Sequence, residues 1–538
     1  MKNLRFRVIA LVLALALLVS GCAWTNDYLR LLNTYITGNI PLVKFEDMDY
    51  TRPDITALLE HQENCLALAQ AGTNFKKLEE EIWLLYTEYY HFSTQYALAD
   101  IHYSGDLTDL YWQEEYNWCL ETATEVDAAM DILFFALADS VFREKLERED
   151  LFGAGFFDNY DGESIWDDTF TALMEQEATM IGRYYELSQT LSEQEPGTME
   201  YQAVVREIAD LYASLVMLRQ EQATHSGYAN FASFAYEFYY DRDYTPALEA
   251  LYLTQIQANL VPLYRRIFSG DIKVLYSDSS EAETFDYVKT AAQNMGGAVA
   301  DAFKRLEKGG LYDIQHGENK FQSSFEIFLL DYYEPFVFMN PVMTDYDKLT
   351  FAHEFGHFCA DYTAYGSVVG VDGSEVMSQG MEYLSLIYGE DTQDLTRLKM
   401  LDSLCIYVEQ AAYAAFEEAV YQLHPADLTG ERIMALFEEI THQYGFDIWG
   451  TTGSDMVTIP HFFTEPLYVF SYVVSNDAAM QLYQKELEKP GSGLALYEAS
   501  LTSTETDFLA FLASAGLHSP FTVGRLGEVK ATFTAILE

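Results

Sequence analysis

The sequence predicts a mainly α-helical fold with one small β-patch set beside a metal-binding helix. Three observations carry that expectation. His353-Glu354-Phe355-Gly356-His357 puts two histidines four residues apart around a glutamate, the spacing that stacks side chains on one helix face. Helix-period stretches such as residues 78–103, with only 12 Pro and 31 Gly in the whole chain, favour continuous helices. Residues 325–333 and 335–340 are rich in aromatic and β-branched side chains, the composition of strands.

At the start of the chain, residues 1–21 read as an export signal. Lys2, Arg5 and Arg7 form its basic end, residues 8–19 its apolar run, and Val19-Ser20-Gly21-Cys22 resembles a bacterial lipobox. The apolar run is shorter than the roughly 20 residues that span a bilayer. The mature chain is therefore expected to begin at a lipidated Cys22, with residues 22–45 as lipid attachment and tether on the outer face of a bacterial cell membrane. A cleaved signal without lipid is the alternative. Residues 46–197 are expected to form an N-terminal helical lobe ending at the turn-forming Glu195-Pro196-Gly197. Residues 198–538 then form a catalytic domain, with residues 277–281 and 489–493 as surface loops.

Four cysteines follow Cys22: Cys65, Cys119, Cys359 and Cys405. An even number outside the cytoplasm permits disulfides, but spacing assigns none; free, buried thiols are expected. A formal net charge of −53 excludes nucleic acid as a partner class and favours the approach of cationic peptides, an effect that salt screens.

The segments 325–333 and 335–340 are separated by Glu334-Pro335, which predicts two short strands or a hairpin. Next comes the metal-binding helix. Thr350-Phe351-Ala352 and Phe358-Cys359-Ala360 make it apolar around a polar stripe, and buried His, Glu and His need partners. One zinc ion supplies them: His353 and His357 bind it, and Glu354 sits where a general base would take a proton from an activated water.

Two imidazoles leave zinc short of a third protein ligand. Gly366, Gly370 and Gly373 mark a loop, after which Ser374 can cap a helix with Glu375 in its first turn. Glu375, Ser378, Gln379 and Glu382 then share a face. Glu375 is the expected third ligand, and Glu382 a carboxylate that orients one imidazole.

Amide hydrolysis also needs donors for the oxyanion of the tetrahedral intermediate. Residues 459–472 offer His461, Tyr468 and Tyr472. Pro466 suits a helix's first turn, which predicts a helix from there with His461 in the preceding loop and the two tyrosines on one face. In a chain with 40 Tyr, that pattern alone reads as core packing.

Four blocks together resemble the thimet oligopeptidase and oligoendopeptidase F family of zinc metallopeptidases, on the oligoendopeptidase F side. They are Gly227-Tyr228-Ala229-Asn230-Phe231 with Asp241-Arg242-Asp243-Tyr244-Thr245-Pro246; Phe336-Val337-Phe338-Met339-Asn340 leading to His353-Glu354-Phe355-Gly356-His357; Glu375-Val376-Met377-Ser378-Gln379; and the block from His461 to Tyr472. The resemblance implies a two-lobed, zincin-type helical fold with a deep substrate cleft and zinc at its floor. It implies zinc ligation by His353, His357 and Glu375, with Glu354 as general base. It makes His461, Tyr468 and Tyr472 transition-state donors or substrate contacts. The thimet branch has a tyrosine where this chain has Pro466; Tyr468 is favoured over Tyr472 as the oxyanion donor. In such peptidases an edge strand grips the substrate backbone. The implied activity is endopeptidase cleavage of short unfolded oligopeptides by a monomer touching membrane only through its lipid anchor. The alternatives are a peptide-binding lipoprotein without catalysis, and a carboxypeptidase or peptidyl-dipeptidase with the same zinc chemistry.

Overall fold

Long apolar-periodic segments become long helices wherever a cap starts them. The computed structural model describes residues 41–148, 151–153, 155–157, 160, 167–270, 276–364, 370–503 and 505–538. The export signal, Cys22 and the tether through residue 40 lie outside the described residues, as do residues 365–369 of the glycine-marked loop. Among the described residues, no helix is long and apolar enough to cross a membrane.

The chain divides into two compact units, one of residues 1–164 with 304–340, the other of residues 165–303 with 341–538. In the first, α1 (Thr56–Ala71), α2 (Phe75–Gly105) and α3 (Leu110–Ala138) pack against one another. The Asn74 side chain accepts a hydrogen bond from the Lys77 N–H and starts α2; Asp109 caps α3 in the same way. Leu58, Cys65, Leu78, Leu85, Val126 and Leu133 form the centre of this three-helix core.

The predicted hairpin is present. Strands β2 (Ser324–Leu329) and β3 (Glu334–Met339) pair antiparallel, and a two-residue β1 (Tyr312–Asp313) adds in parallel to β3. The order β1-β3-β2 puts β3 in the middle, buried at every position, and leaves β2 at an edge. Two residues carry no readable period, which is why β1 has no sequence signal. The buried Lys320 ammonium ties the sheet together, donating to the Met339 carbonyl at 2.9 Å and the Asp313 carboxylate at 2.8 Å.

The expected domain boundary at residues 195–197 is a turn inside the second unit. It joins α4 (Asp168–Ser192) to α5 (Met199–His225), which pack on each other, with Gly197 at φ +88° as the turn requires. The division falls at residue 164 instead, and residues 304–340, with the hairpin, join the first unit. A Pro-Gly turn between two helices packed side by side reads from sequence like a linker.

The second unit is built around α6 (Asp347–Ala364), α7 (Val371–Tyr388) and α8 (Phe470–Glu488). Helix α7 is buried along nearly its whole length, packed between α6 and α8. Asp347 organises the start of α6: its carboxylate accepts from the Val342 and Thr344 N–H groups, both at 3.0 Å, and its charge suits a helix N-terminus. Helix α7 begins at Val371, with Gly370 as its N-cap, so Gly373 and Ser374 are helical and Glu375 lies in the second turn. The expected start at Ser374 is corrected accordingly, and Ser374 is freed for another use. Cys65, Cys119 and Cys359 are buried and Cys405 half-buried, all four as free thiols.

Candidate active site

Gly356 lets the site assemble. A Cβ there would lie 2.5 Å from the Met377 carbonyl oxygen and 2.6 Å from the Ser378 Cα, closer than packed atoms come. Glycine therefore allows α7 to cross against α6 at the turn between the two histidines. That approach brings one ligand atom each of His353, His357 and Glu375 within 4.8 Å of one another. His353 Nε2 lies 3.5 Å from Glu375 Oε2. Among the described residues this is the one group of three or more His, Cys, Asp and Glu side chains spaced to hold a metal ion.

Each of the three is held from behind. His353 Nδ1–H donates to Glu382 Oε1 at 2.8 Å, which leaves Nε2 bare and facing the cluster. Ser374 Oγ lies 3.2 Å from His357 Nδ1 and does the same for the second ring. The Ser378 hydroxyl donates to Glu375 Oε2 at 3.0 Å. Sequence reasoning took Ser374 for a helix cap and gave Ser378 no role; their positions, directly before Glu375 and one turn after it, were the available signal.

Behind Glu382 lies a buried lysine that the sequence did not reveal. Lys399, on α9 (Gln393–Cys405), sits 2.7 Å from Glu382 Oε2 and 3.2 Å from Asp402 Oδ2. Only 1% of Lys399 is exposed, so both carboxylates are needed to offset its desolvation. Burial works against ionisation of Glu382, yet the Lys399 and His353 charges hold its carboxyl below the usual range.

The two imidazoles differ. Burial opposes a charge on His353, but the Glu382 hydrogen bond and the Glu375 and Glu354 charges outweigh it and raise the ring to about 9. Burial dominates at His357 and pushes it down to about 4, against the pull of Glu375. A cluster of carboxylates that draws a proton onto a half-buried imidazole is a cluster suited to a cation. Two imidazole nitrogens and a carboxylate oxygen, each oriented by a hydrogen bond, fit zinc, whose bonds of ~2.0–2.2 Å small side-chain rotations would satisfy. Glu354, between the two histidines on α6, is buried.

His461, Tyr468 and Tyr472 meet as an aromatic group, though not on the predicted helix. His461 opens a one-turn helix, His461–Thr464, and α8 starts only at Phe470, so Tyr468 lies in the intervening turn. The cause is local: Leu467 adopts φ +66°, which ends any helix begun at Pro466. The His461 and Tyr468 rings stack at 6.0 Å, and Tyr472 meets Tyr468 edge-on at 5.1 Å. Both tyrosines are half-buried. Burial and the Glu375 charge raise both phenols, Tyr472 to about 12 and Tyr468 further. Each hydroxyl thus keeps its proton at neutral pH and can donate it.

Residues 45–163 match the family model of the Peptidase M3 N-terminal domain. No curated protein matches the chain. Among solved structures, the chain is similar to PZ peptidase A with an inhibitor, at 19% identity over 91% of this chain and 99% of that one, TM-score 0.77. A structure assigned as an oligoendopeptidase F from Bacillus anthracis aligns at 20% identity over 92% and 98%, TM-score 0.74. Metallocarboxypeptidase 1 of Trypanosoma cruzi shares the fold less closely, at 12% identity over 87% and 98%, TM-score 0.58.

Proposed function

We propose that this chain, an oligoendopeptidase F-like M3 peptidase by its N-terminal domain and its fold, is a zinc-dependent endopeptidase that hydrolyses short unfolded oligopeptides. The observation that carries the reading is the convergence of His353, His357 and Glu375 beside the buried Glu354. When bound, zinc would lower the pKa of a water and polarise the scissile carbonyl. The chain supplies the rest. Glu354 accepts the proton of the attacking water and returns it to the departing amine. Tyr468, with Tyr472 and His461 beside it, donates a hydroxyl hydrogen bond to the oxyanion. Glu382 and Ser374 keep the imidazoles turned, and Ser378 keeps the Glu375 carboxylate turned.

Glu354→Gln tests the base. The variant should retain metal, measured by elemental analysis, and lose about 10²–10⁴ in kcat on a quenched-fluorescent peptide. Full activity with normal metal content would remove Glu354 from the role.

A second reading keeps the chemistry and moves the cut. Likeness to a metallocarboxypeptidase favours release of residues from a peptide end; mass spectrometry of fragments from blocked and unblocked peptides separates the two. The site of action is proposed from residues 1–22: outside the cytoplasm, on a membrane, held by lipid on Cys22.

A further inference from the structure

The catalytic turn is bent into its shape by buried side chains that reach it from elsewhere in the second unit. Arg219, on α5 and fully buried, donates to the Phe462 carbonyl at 2.8 Å and the Phe463 carbonyl at 2.5 Å, and is itself held by Glu177 at 2.6 Å. The Tyr240 hydroxyl donates to the Pro466 carbonyl at 2.7 Å. These contacts fix the chain leading into one residue, Leu467, whose backbone is in the left-handed region at φ +66°. L side chains rarely adopt that conformation, and Leu467 is buried, so its N–H has no recourse to water. That N–H donates to Glu417 Oε1 at 2.9 Å.

Glu417 lies on α10 (Ala411–Tyr421) and is wholly buried. Its second oxygen, Oε2, has no hydrogen-bond partner among the described residues. Burial pushes its carboxyl up to about 8, while the Leu467 N–H, Arg219 and Arg242 pull the other way. A buried acid with one oxygen left over is an expensive way to build a core. Its single hydrogen bond goes to the residue directly before Tyr468, at the one strained position between His461 and that tyrosine.

We propose that Glu417 is a positioning residue: by accepting the Leu467 N–H it locks the left-handed turn that aims the Tyr468 hydroxyl at the substrate. The inference rests on the tyrosine donor role proposed above, and its test reads position as well as turnover.

Glu417→Gln keeps a carbonyl acceptor and Glu417→Ala removes it. Amide hydrogen exchange across residues 461–472 should accelerate by about tenfold or more in Glu417→Ala and stay near wild type in Glu417→Gln; this readout does not depend on the chain being a peptidase. In peptide cleavage, Glu417→Ala should lose about tenfold or more in kcat with KM and zinc content little changed, and Glu417→Gln should recover most of it. In a Tyr468→Phe background the same Glu417→Ala change should cost little, because its effect passes through the missing hydroxyl. Unchanged exchange in Glu417→Ala, equal damage from both Glu417 variants, or a full loss persisting in the Tyr468→Phe background would each overturn the assignment. Absence of any peptidase activity, with exchange responding as expected, would count against the peptidase reading and leave the turn-locking assignment supported.

Discussion

Glu382 acts one hydrogen bond behind the proposed ligands. Its carboxylate faces His353 on one side and Lys399 on the other, so its charge is fixed by a lysine and spent on orienting an imidazole. Removing such an orienting partner costs about 10–100-fold in metal affinity. We expect Glu382→Gln to weaken zinc binding by that factor in a competition titration. Lys399→Met should do likewise and also lower the melting temperature, since breaking a buried pair costs about 3–5 kcal/mol. Tyr468→Phe should reduce kcat by about 10²–10³ with metal content intact, and Tyr472→Phe by less; the reverse ranking would exchange their roles. At this scale the sequence was informative where motif spacing does the work. His353 and His357 come together as the four-residue spacing of the motif requires, and Glu375 joins them. Lys399 was not legible, because a lone lysine in a helix reads as a solvated side chain until its neighbours are known.

Between elements, the decisive contact is the crossing of α6 and α7 at Gly356. Gly356→Ala should force the helices apart, because the Met377 carbonyl and Ser378 Cα occupy the space a methyl would need. We expect a stability loss of about 1–3 kcal/mol together with weakened zinc binding; an unchanged zinc affinity would contradict the account of the crossing. Glu417 adds a pH dependence at this scale. Its folded-state pKa, raised by burial to about 8, exceeds the ~4.3 of an unfolded glutamate. Its stabilising contribution is therefore complete below the unfolded value and is lost as pH rises toward 8. Glu417→Gln, which cannot ionise, should gain melting temperature relative to wild type between pH 5 and pH 8. Element boundaries were the least legible part. Ser374 looked like a cap, but α7 starts at Val371; Pro466 looked like a helix start, but Leu467 turns left-handed. In both places tertiary hydrogen bonds override local preference, at His357 for Ser374 and through Glu417 for Leu467. The hairpin was legible because aromatic and β-branched residues cluster on both sides of Glu334-Pro335.

Across the whole molecule, the mainly helical class could be read from composition and periodicity, whereas the division into two units could not. The first unit takes residues 304–340 from far along the chain, and no local signal announces a non-contiguous assembly. The net charge of −53 acts at this scale as well. Cationic peptides should show higher kcat/KM than neutral ones of equal length at low salt, and the advantage should shrink as ionic strength rises. Lipid on Cys22 should appear as a diacylglycerol-sized mass increment on the N-terminal peptide and should vanish in Cys22→Ala, releasing the protein from membranes. The central claim is that His353, His357 and Glu375 hold one zinc ion on which hydrolysis depends. It is tested most directly by stripping the purified protein with a chelator and titrating zinc back while following cleavage of a mixed peptide pool. Cleavage should stop, return in full at one equivalent per chain, and fail to return at that dose in Glu375→Gln. Cleavage that survives stripping, or is restored equally well in Glu375→Gln, would contradict it.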